Sequence, residues 1–330
     1  MNNDADAADG WDGDIQSDAE TMTEKKFSFC EVDDEKIKEI MSGMTLRDMI
    51  GQKYIIGVSR TNWDLSAETK EKIEKLKIGG VFLAAPETID LDPENTFEFI
   101  RILQEFSVEK NGVPLFISVD QEGGHAANIN SMTGGTDTPG NMSLGAAQDA
   151  GDVERIYAIM GEELFSLGFN MDFAPVVDLM KNHMNGAINI RSFGGDAGWV
   201  RKAGAGSVRG LQSEGVIATV KHFPSDSTTA LDSHIARPVY QKDENYWRSN
   251  DMLPYIDAFG AGADAVMMGH FILPFFDEKK PASLSAYIQN KILREEMGFD
   301  GLIITDSLGM KGANPEGKEE SPELMAFKAG

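Results

Sequence analysis

Short apolar runs recur along the chain at residues 54–58, 80–83, 115–119, 171–174, 217–221, 265–268 and 302–305. Each is rich in Val, Ile, Phe or Met and bounded by Gly, Pro or Asp, which predicts strands. Between them, residues 67–76, 95–109, 153–167, 200–213, 246–259 and 286–296 alternate polar and apolar positions at helical spacing. Gly168, Gly215 and Gly298 follow three of these stretches and suit helix C-caps. Repeated strand–helix units with near-continuous apolar strands imply a parallel sheet covered by helices. Seven such units predict an α/β fold of the (β/α)₈ barrel type that lacks the eighth strand and helix. A doubly wound open sheet is the alternative, but no glycine-rich dinucleotide fingerprint opens the first strand–helix turn.

Composition narrows the function classes. Hydrophobic residues make up 41% and charged residues 25%, the balance of a globular protein rather than a membrane or disordered chain. With 54 acidic against 30 basic residues the net charge is −24, which leaves no basic surface to neutralise phosphates and argues against nucleic acid as a partner. Eight carboxylates and no Lys or Arg fall in the first 24 residues. Residues 1–33 are therefore expected to be an acidic flexible tail, with the barrel domain running from 34 to 330. The single cysteine, Cys30, excludes an intrachain disulfide and a cysteine-based metal site. There is no transmembrane-length apolar run and no signal-peptide core. As written the chain reads as cytoplasmic; a cell-surface or secreted location would follow if a signal or lipoprotein anchor had been removed.

In a barrel the working side chains stand at the C-terminal ends of the strands. Strand three ends in Ser118-Val119-Asp120-Gln121-Glu122-Gly123-Gly124, and strand four runs into Asp178, with Arg191 further along the same loop. Strand five delivers Lys221-His222-Phe223-Pro224 and then Asp232-Ser233-His234; strands six and seven end at His270 and Asp306. Five successive strand ends thus present ionisable groups to one mouth. Carboxylates with a proton donor in a polar cleft suggest glycoside cleavage. Asp306 is placed like a nucleophile on a rigid wall, although it could instead cap the next helix. In the Asp-x-His pair the carboxylate of Asp232 can fix the tautomer of His234, which could give and take the proton. Asp120, Arg191, Lys221 and His222 could hold sugar hydroxyls, or Arg191 and Lys221 could be an ion pair closing the barrel top. His270 could be a buried supporting residue, and His125 and His183 loop histidines. The five histidines show no metal-ligand spacing, so no metal is expected.

Taken in order, these segments resemble glycoside hydrolase family 3, in particular its β-N-acetylglucosaminidase (NagZ-type) branch, from about Asp34 to the last residue. The likeness also covers Phe173-Ala174-Pro175-Val176-Val177-Asp178, Ile190-Arg191-Ser192-Phe193-Gly194, Pro281-Ala282-Ser283-Leu284-Ser285 and the run from Gly301 to Met310. It implies a retaining hydrolase that releases terminal β-linked N-acetylglucosamine from muropeptide or chitin-type oligosaccharides through a glycosyl-aspartate, with no cofactor. Asp306 matches the family nucleophile, His234 with Asp232 the acid–base dyad, and Asp120, Arg191, Lys221 and His222 the sugar-binding positions. A non-catalytic sugar-binding relative, an N-acetylglucosaminide phosphorylase and a β-glucosidase of the same family are the alternatives.

Three features depart from the family pattern. Ser225-Asp226-Ser227 replaces the usual Gly-His-Gly, so the loop is expected to lose access to positive φ and to stiffen or re-aim. The added carboxylate of Asp226 is expected to raise the dyad's pKa or to repel an anionic substrate. His125 replaces the usual Arg, and the chain stops where an eighth strand would begin, which reads as a C-terminal truncation.

Overall fold

The computed structural model describes residues 34–314 and 320–330. The acidic tail and Cys30 lie outside the described residues. Seven strands form one parallel sheet in chain order: β1 (Ile55–Gly57), β2 (Gly80–Phe82), β3 (Phe116–Val119), β4 (Met171–Asp172), β5 (Ile217–Phe223), β6 (Ala265–Met268) and β7 (Leu302–Thr305). Every neighbouring pair is parallel, from Ile55 opposite Gly80 at one edge to Thr305 opposite Met268 at the other. Consecutive order with helical crossovers is the topology of a (β/α) barrel. Among the described residues β1 pairs only with β2 and β7 only with β6, so the curled sheet stays open along one seam.

Side-chain alternation divides the core in two. One face of each strand packs beneath the outer helices in the main cluster, which includes Val81, Ile117, Ala218, Val220, Val266 and Met268. The other face fills the barrel axis with Met171, Phe173, Ala265 and Met267, flanked by Ile55, Phe82, Phe116, Ile217 and Ile304. The rings of Phe82 and Phe173 stack there at 5.7 Å. Burial follows position in the sheet. All of β6 is buried, whereas β7, at the seam, is exposed or half-buried throughout.

The helices begin and end where local chemistry dictates. Asp92, Asp149 and Asp196 each accept backbone N–H bonds at the first turn of a long helix. Gly168, Gly215 and Gly298 adopt φ of 93°, 82° and 67° just beyond helix ends, a conformation that favours glycine. One expected helix is not continuous. Residues 246–259 are divided between Glu244–Ser249 and Leu253–Gly260. Pro254 cannot donate to the Asn250 carbonyl, so it is accommodated only in the first turn of a new helix. No described helix is long and apolar enough to cross a membrane.

Candidate active site

At the C-terminal end of the strands, Lys221 carries the innermost charge. It is the fifth residue of β5, 2% exposed, and its ammonium lies 2.6 Å from Asp120 Oδ1 and 2.6 Å from Glu122 Oε1. Arg191 reaches the same Glu122 as a fork, with Nε to Oε2 and Nη2 to Oε1 both at 2.8 Å. Burial alone would raise the Glu122 carboxyl, but the charge of Lys221 and the bonds from Arg191 outweigh it and hold it down at about 2. Burial likewise opposes the charge on Lys221, and Asp120 and Glu122 reverse that to bring the ammonium up to about 12. Two cations and two carboxylates therefore balance in a cluster whose centre, Lys221 and Glu122, is buried.

His222 is oriented from behind. Its Nδ1 and its backbone N–H lie 2.7 and 3.0 Å from Asp178 Oδ2. A carboxylate only accepts, so Nδ1 carries the proton and Nε2 faces the mouth, 3.4 Å from Arg191 Nη2. Both the Lys221–His222 and Phe223–Pro224 peptides are cis. Hydrogen-bonding capacity remains for a polyhydroxy ligand: Asp120, with its side chain 38% exposed, offers its second oxygen, and Arg191 and Lys221 retain N–H groups.

Beyond this cluster the chain runs out into the loop that carries Asp232 and His234. His234 Nδ1 lies 2.7 Å from Asp232 Oδ1, which also accepts the His234 backbone N–H at 2.8 Å. This fixes the proton on Nδ1 and leaves Nε2 on an imidazole whose side chain is 62% exposed. Burial alone would raise the Asp232 carboxyl, but its hydrogen bonds from the backbone and side chain of His234 together outweigh that and hold it below the ordinary carboxylate range. Asp306 follows β7 directly. Its N–H donates to Met268 O at 2.9 Å and its Oδ1 accepts from Ser307 N at 2.7 Å. The next helical turn, Lys311–Ala313, is capped at Met310, so Asp306 is not its cap.

Asp120, Glu122, His125, Arg191, Lys221, His222, His234 and Asp306 all line one cavity of about 1610 Å³. The cavity continues down the barrel axis past Phe82, Phe116, Phe173 and Met267 to the open seam, where Phe327 and Gly330 lie. Asp232 stands behind His234, and His270 is fully buried beside the mouth between Ser283 and Ser307. Among the described residues no cluster of His, Cys, Asp and Glu has the makings of a metal site.

Two expectations about the Ser225-Asp226-Ser227 segment are corrected. Ser225 adopts φ of +131° despite its side chain, so the backbone keeps the turn that glycine would make easy. The Asp232 carboxyl is held below the ordinary carboxylate range rather than raised by Asp226. Asp226 is itself 2% exposed, and burial followed by the adjacent Asp178 pushes its carboxyl up to about 8, so it is neutral at pH 7. The suggested ion pair of Arg191 with Lys221 is also corrected: both side chains are cations, and they converge on the shared carboxylate of Glu122.

Glu122 and Asp178 join the site without being among its sequence-predicted residues. Glu122 stands two residues beyond Asp120, which in an extended segment puts both carboxylates on one face. Charge accounting points the same way, since two buried cations need more than the single counter-charge of Asp120.

A curled parallel sheet with charged groups at the C-terminal ends of its strands defines a protein of the (β/α)-barrel class. The chain matches the glycosyl hydrolase family 3 N terminal domain over residues 10–330, and it belongs to that family. Beta-hexosaminidase A of Pseudoalteromonas piscicida is 33% identical over 87% of this chain and 52% of its own length. A glycoside hydrolase family 3 beta-N-acetylglucosaminidase from Paenibacillus sp. str. FPU-7 superposes with a TM-score of 0.81 at 35% identity, covering 87% of this chain and 54% of that one. NagZ from Neisseria gonorrhoeae, solved with N-trifluoroacetyl-D-glucosamine, gives a TM-score of 0.73 at 27% identity over 84% of this chain and 79% of that one. The chain spans about half the length of the first of these curated relatives.

Proposed function

We propose that the protein is a retaining exo-β-N-acetylglucosaminidase that acts on muropeptide or chitin-type oligosaccharides. The observation that carries this reading is the His234–Asp232 pair and Asp306 bordering one cavity above a charge-balanced cluster. Asp120, Arg191, Lys221 and His222 hold the hydroxyls of the terminal sugar and place its anomeric carbon beside Asp306. An Asp306 oxygen attacks that carbon as the glycosidic C–O bond breaks, and protonated His234 delivers its Nε2 proton to the departing oxygen. A water then loses its proton to the same Nε2 and attacks the anomeric carbon, which frees the Asp306 carboxylate. Ionised Asp232 holds the ring and stabilises the imidazolium between steps. The relatives named above, a hexosaminidase and two proteins associated with N-acetylglucosamine chemistry, support the choice of sugar.

Release of aryl alcohol from an aryl N-acetyl-β-glucosaminide tests this directly. The Asp306→Ala variant should lose about 10⁴-fold or more in turnover, as removal of a covalent nucleophile does. His234→Ala should cost about 10²–10⁴-fold on a natural disaccharide and far less on an aryl glycoside whose leaving group needs no proton. Wild-type binding of N-acetylglucosamine without turnover would replace this reading with a sugar-binding one. Sugar 1-phosphate formed only when phosphate is supplied would replace it with phosphorolysis.

A further inference from the structure

The loop that holds Asp306 and the loop that holds the dyad meet at Gly312. Lys311 N–H donates to His234 O at 3.3 Å, and Gly312 N–H donates to Ser233 O at 2.9 Å. A Cβ at position 312 would lie 2.9 Å from His270 Cβ, 3.0 Å from Ser233 O and 3.1 Å from Ala236 O. Two of those three neighbours are backbone of the dyad loop, so only glycine lets the loops close to this distance. The third, His270, supports the junction from β6. Its Nε2 donates to Ser307 O at 2.9 Å, and its Nδ1 accepts from Ser283 Oγ at 2.7 Å. Ser307 is therefore held through both of its backbone polar groups, its carbonyl by His270 and its N–H by the Asp306 carboxylate. Burial lowers the pKa of His270, consistent with a neutral ring in this role.

We propose that Gly312 is a positioning residue, whose backbone with that of Lys311 clasps the acid–base loop to the nucleophile loop and sets both by one junction on His270. This rests on the roles given above to Asp306, His234 and Asp232. Because His234 is largely exposed, little packing of its own side chain fixes where Nε2 stands. The clasp supplies that constraint from the backbone.

Two variants break it in different ways. Gly312→Ala inserts a Cβ among atoms that cannot give way and displaces the dyad loop. Lys311→Pro deletes one donor with little strain, because Met310 is extended (φ −71°, ψ 149°) and position 311 opens a helical turn. Gly312→Ala should lower turnover of a natural disaccharide about 100-fold, since the acid is displaced. An aryl glycoside with a good leaving group should fall less than about 10-fold, and azide, which attacks without a base, should restore part of that loss. Lys311→Pro should show the same selectivity at about 5-fold, the worth of one hydrogen bond. Equal losses on both substrates, without azide rescue, would overturn the clasp. Hydrogen exchange gives a readout independent of turnover. The amides of Ile235 and Ala236, which bond to Asp232 O, should exchange faster in both variants while those of β5 and β6 do not change. Unchanged exchange at residues 235 and 236 would also overturn the clasp, whereas an inactive wild type with the expected exchange would count only against the roles assigned to the dyad.

Discussion

Lys221, at the heart of the cluster around Glu122, lies only a few residues of chain before the loop from Ser225 to His234, yet the cluster and the loop are held by opposite means. Lys221 and Glu122 are 2–3% exposed, grow from β5 and the end of β3, and meet through charge-assisted bonds of 2.6–2.8 Å. His234 stands mostly in solvent on a loop without regular structure, fixed by one carboxylate and a backbone clasp. The difference matches the role proposed for each. A sugar-gripping cluster gains from geometry that the barrel wall over-determines, while a group that gives and takes protons has to meet water between steps. Stability and turnover should therefore respond to these regions in opposite proportions.

The largest expected effect on stability comes from Glu122→Gln. It removes the charge on which Lys221 and Arg191 converge, and leaving buried charge incompletely paired costs about 3–5 kcal/mol. Urea unfolding at pH 7 should show that loss, while His234→Ala in the same assay changes stability by less than about 0.5 kcal/mol. The Glu122 carboxyl is lowered on folding, from 4.5 to about 2, so its contribution is present above pH 4.5 and fades as the pH falls through 2. Similar stability losses for the two variants would remove the contrast.

Asp226 sharpens the comparison from the loop side. Its carboxyl is raised on folding, from 3.8 to about 8, so between those values the native state holds a proton that the unfolded chain releases. By linkage its contribution to stability is lost as pH rises through that window. Asp226→Asn removes the dependence. Relative to wild type, the variant should gain about 2–4 kcal/mol in going from pH 5 to pH 8, the order set by about 1.4 kcal/mol per unit with allowance for relaxation of the site. A difference between the two proteins that does not vary with pH would mean that Asp226 is not held neutral.

These two carboxylates also mark where the sequence was legible and where it was not. The seven strands could be read because each is apolar on both faces and punctuated by Gly, Pro or Asp, and β6 and β7 fall on the predicted residues. The five charged strand ends were legible for the same reason, since strand ends fix direction. Contacts that close across the barrel were harder. Glu122 belongs to Lys221 and Arg191 from 99 and 69 positions away, and no local pattern announces such a partner. The state of Asp226 was illegible for a different reason: its charge depends on burial beside Asp178, and a string of letters shows a carboxylate without its surroundings. The division of residues 246–259 was accessible in principle, because Pro254 sits in the middle of the expected helix.

The smallest effect tests whether the loop stores backbone strain. Ser225 combines φ of +131° with a hydrogen bond from its Oγ to Asp251 Oδ1 at 3.1 Å, and Asp251 also accepts from the Tyr240 hydroxyl. Removing the hydroxyl alone confounds the two contributions, so the informative measurement compares Ser225→Ala with Ser225→Gly. Both lose the bond to Asp251. Alanine keeps a Cβ at positive φ, where a non-glycine residue costs about 1–3 kcal/mol, whereas glycine relieves that strain at an entropic cost of about 0.5–1 kcal/mol. Ser225→Gly should therefore be the more stable by about 1 kcal/mol, the reverse of the usual order of alanine and glycine, in urea melts of the two variants. If Ser225→Ala matches or exceeds it, the positive φ carries no strain, and the contrast between a relaxed cluster and a strained loop reduces to exposure alone.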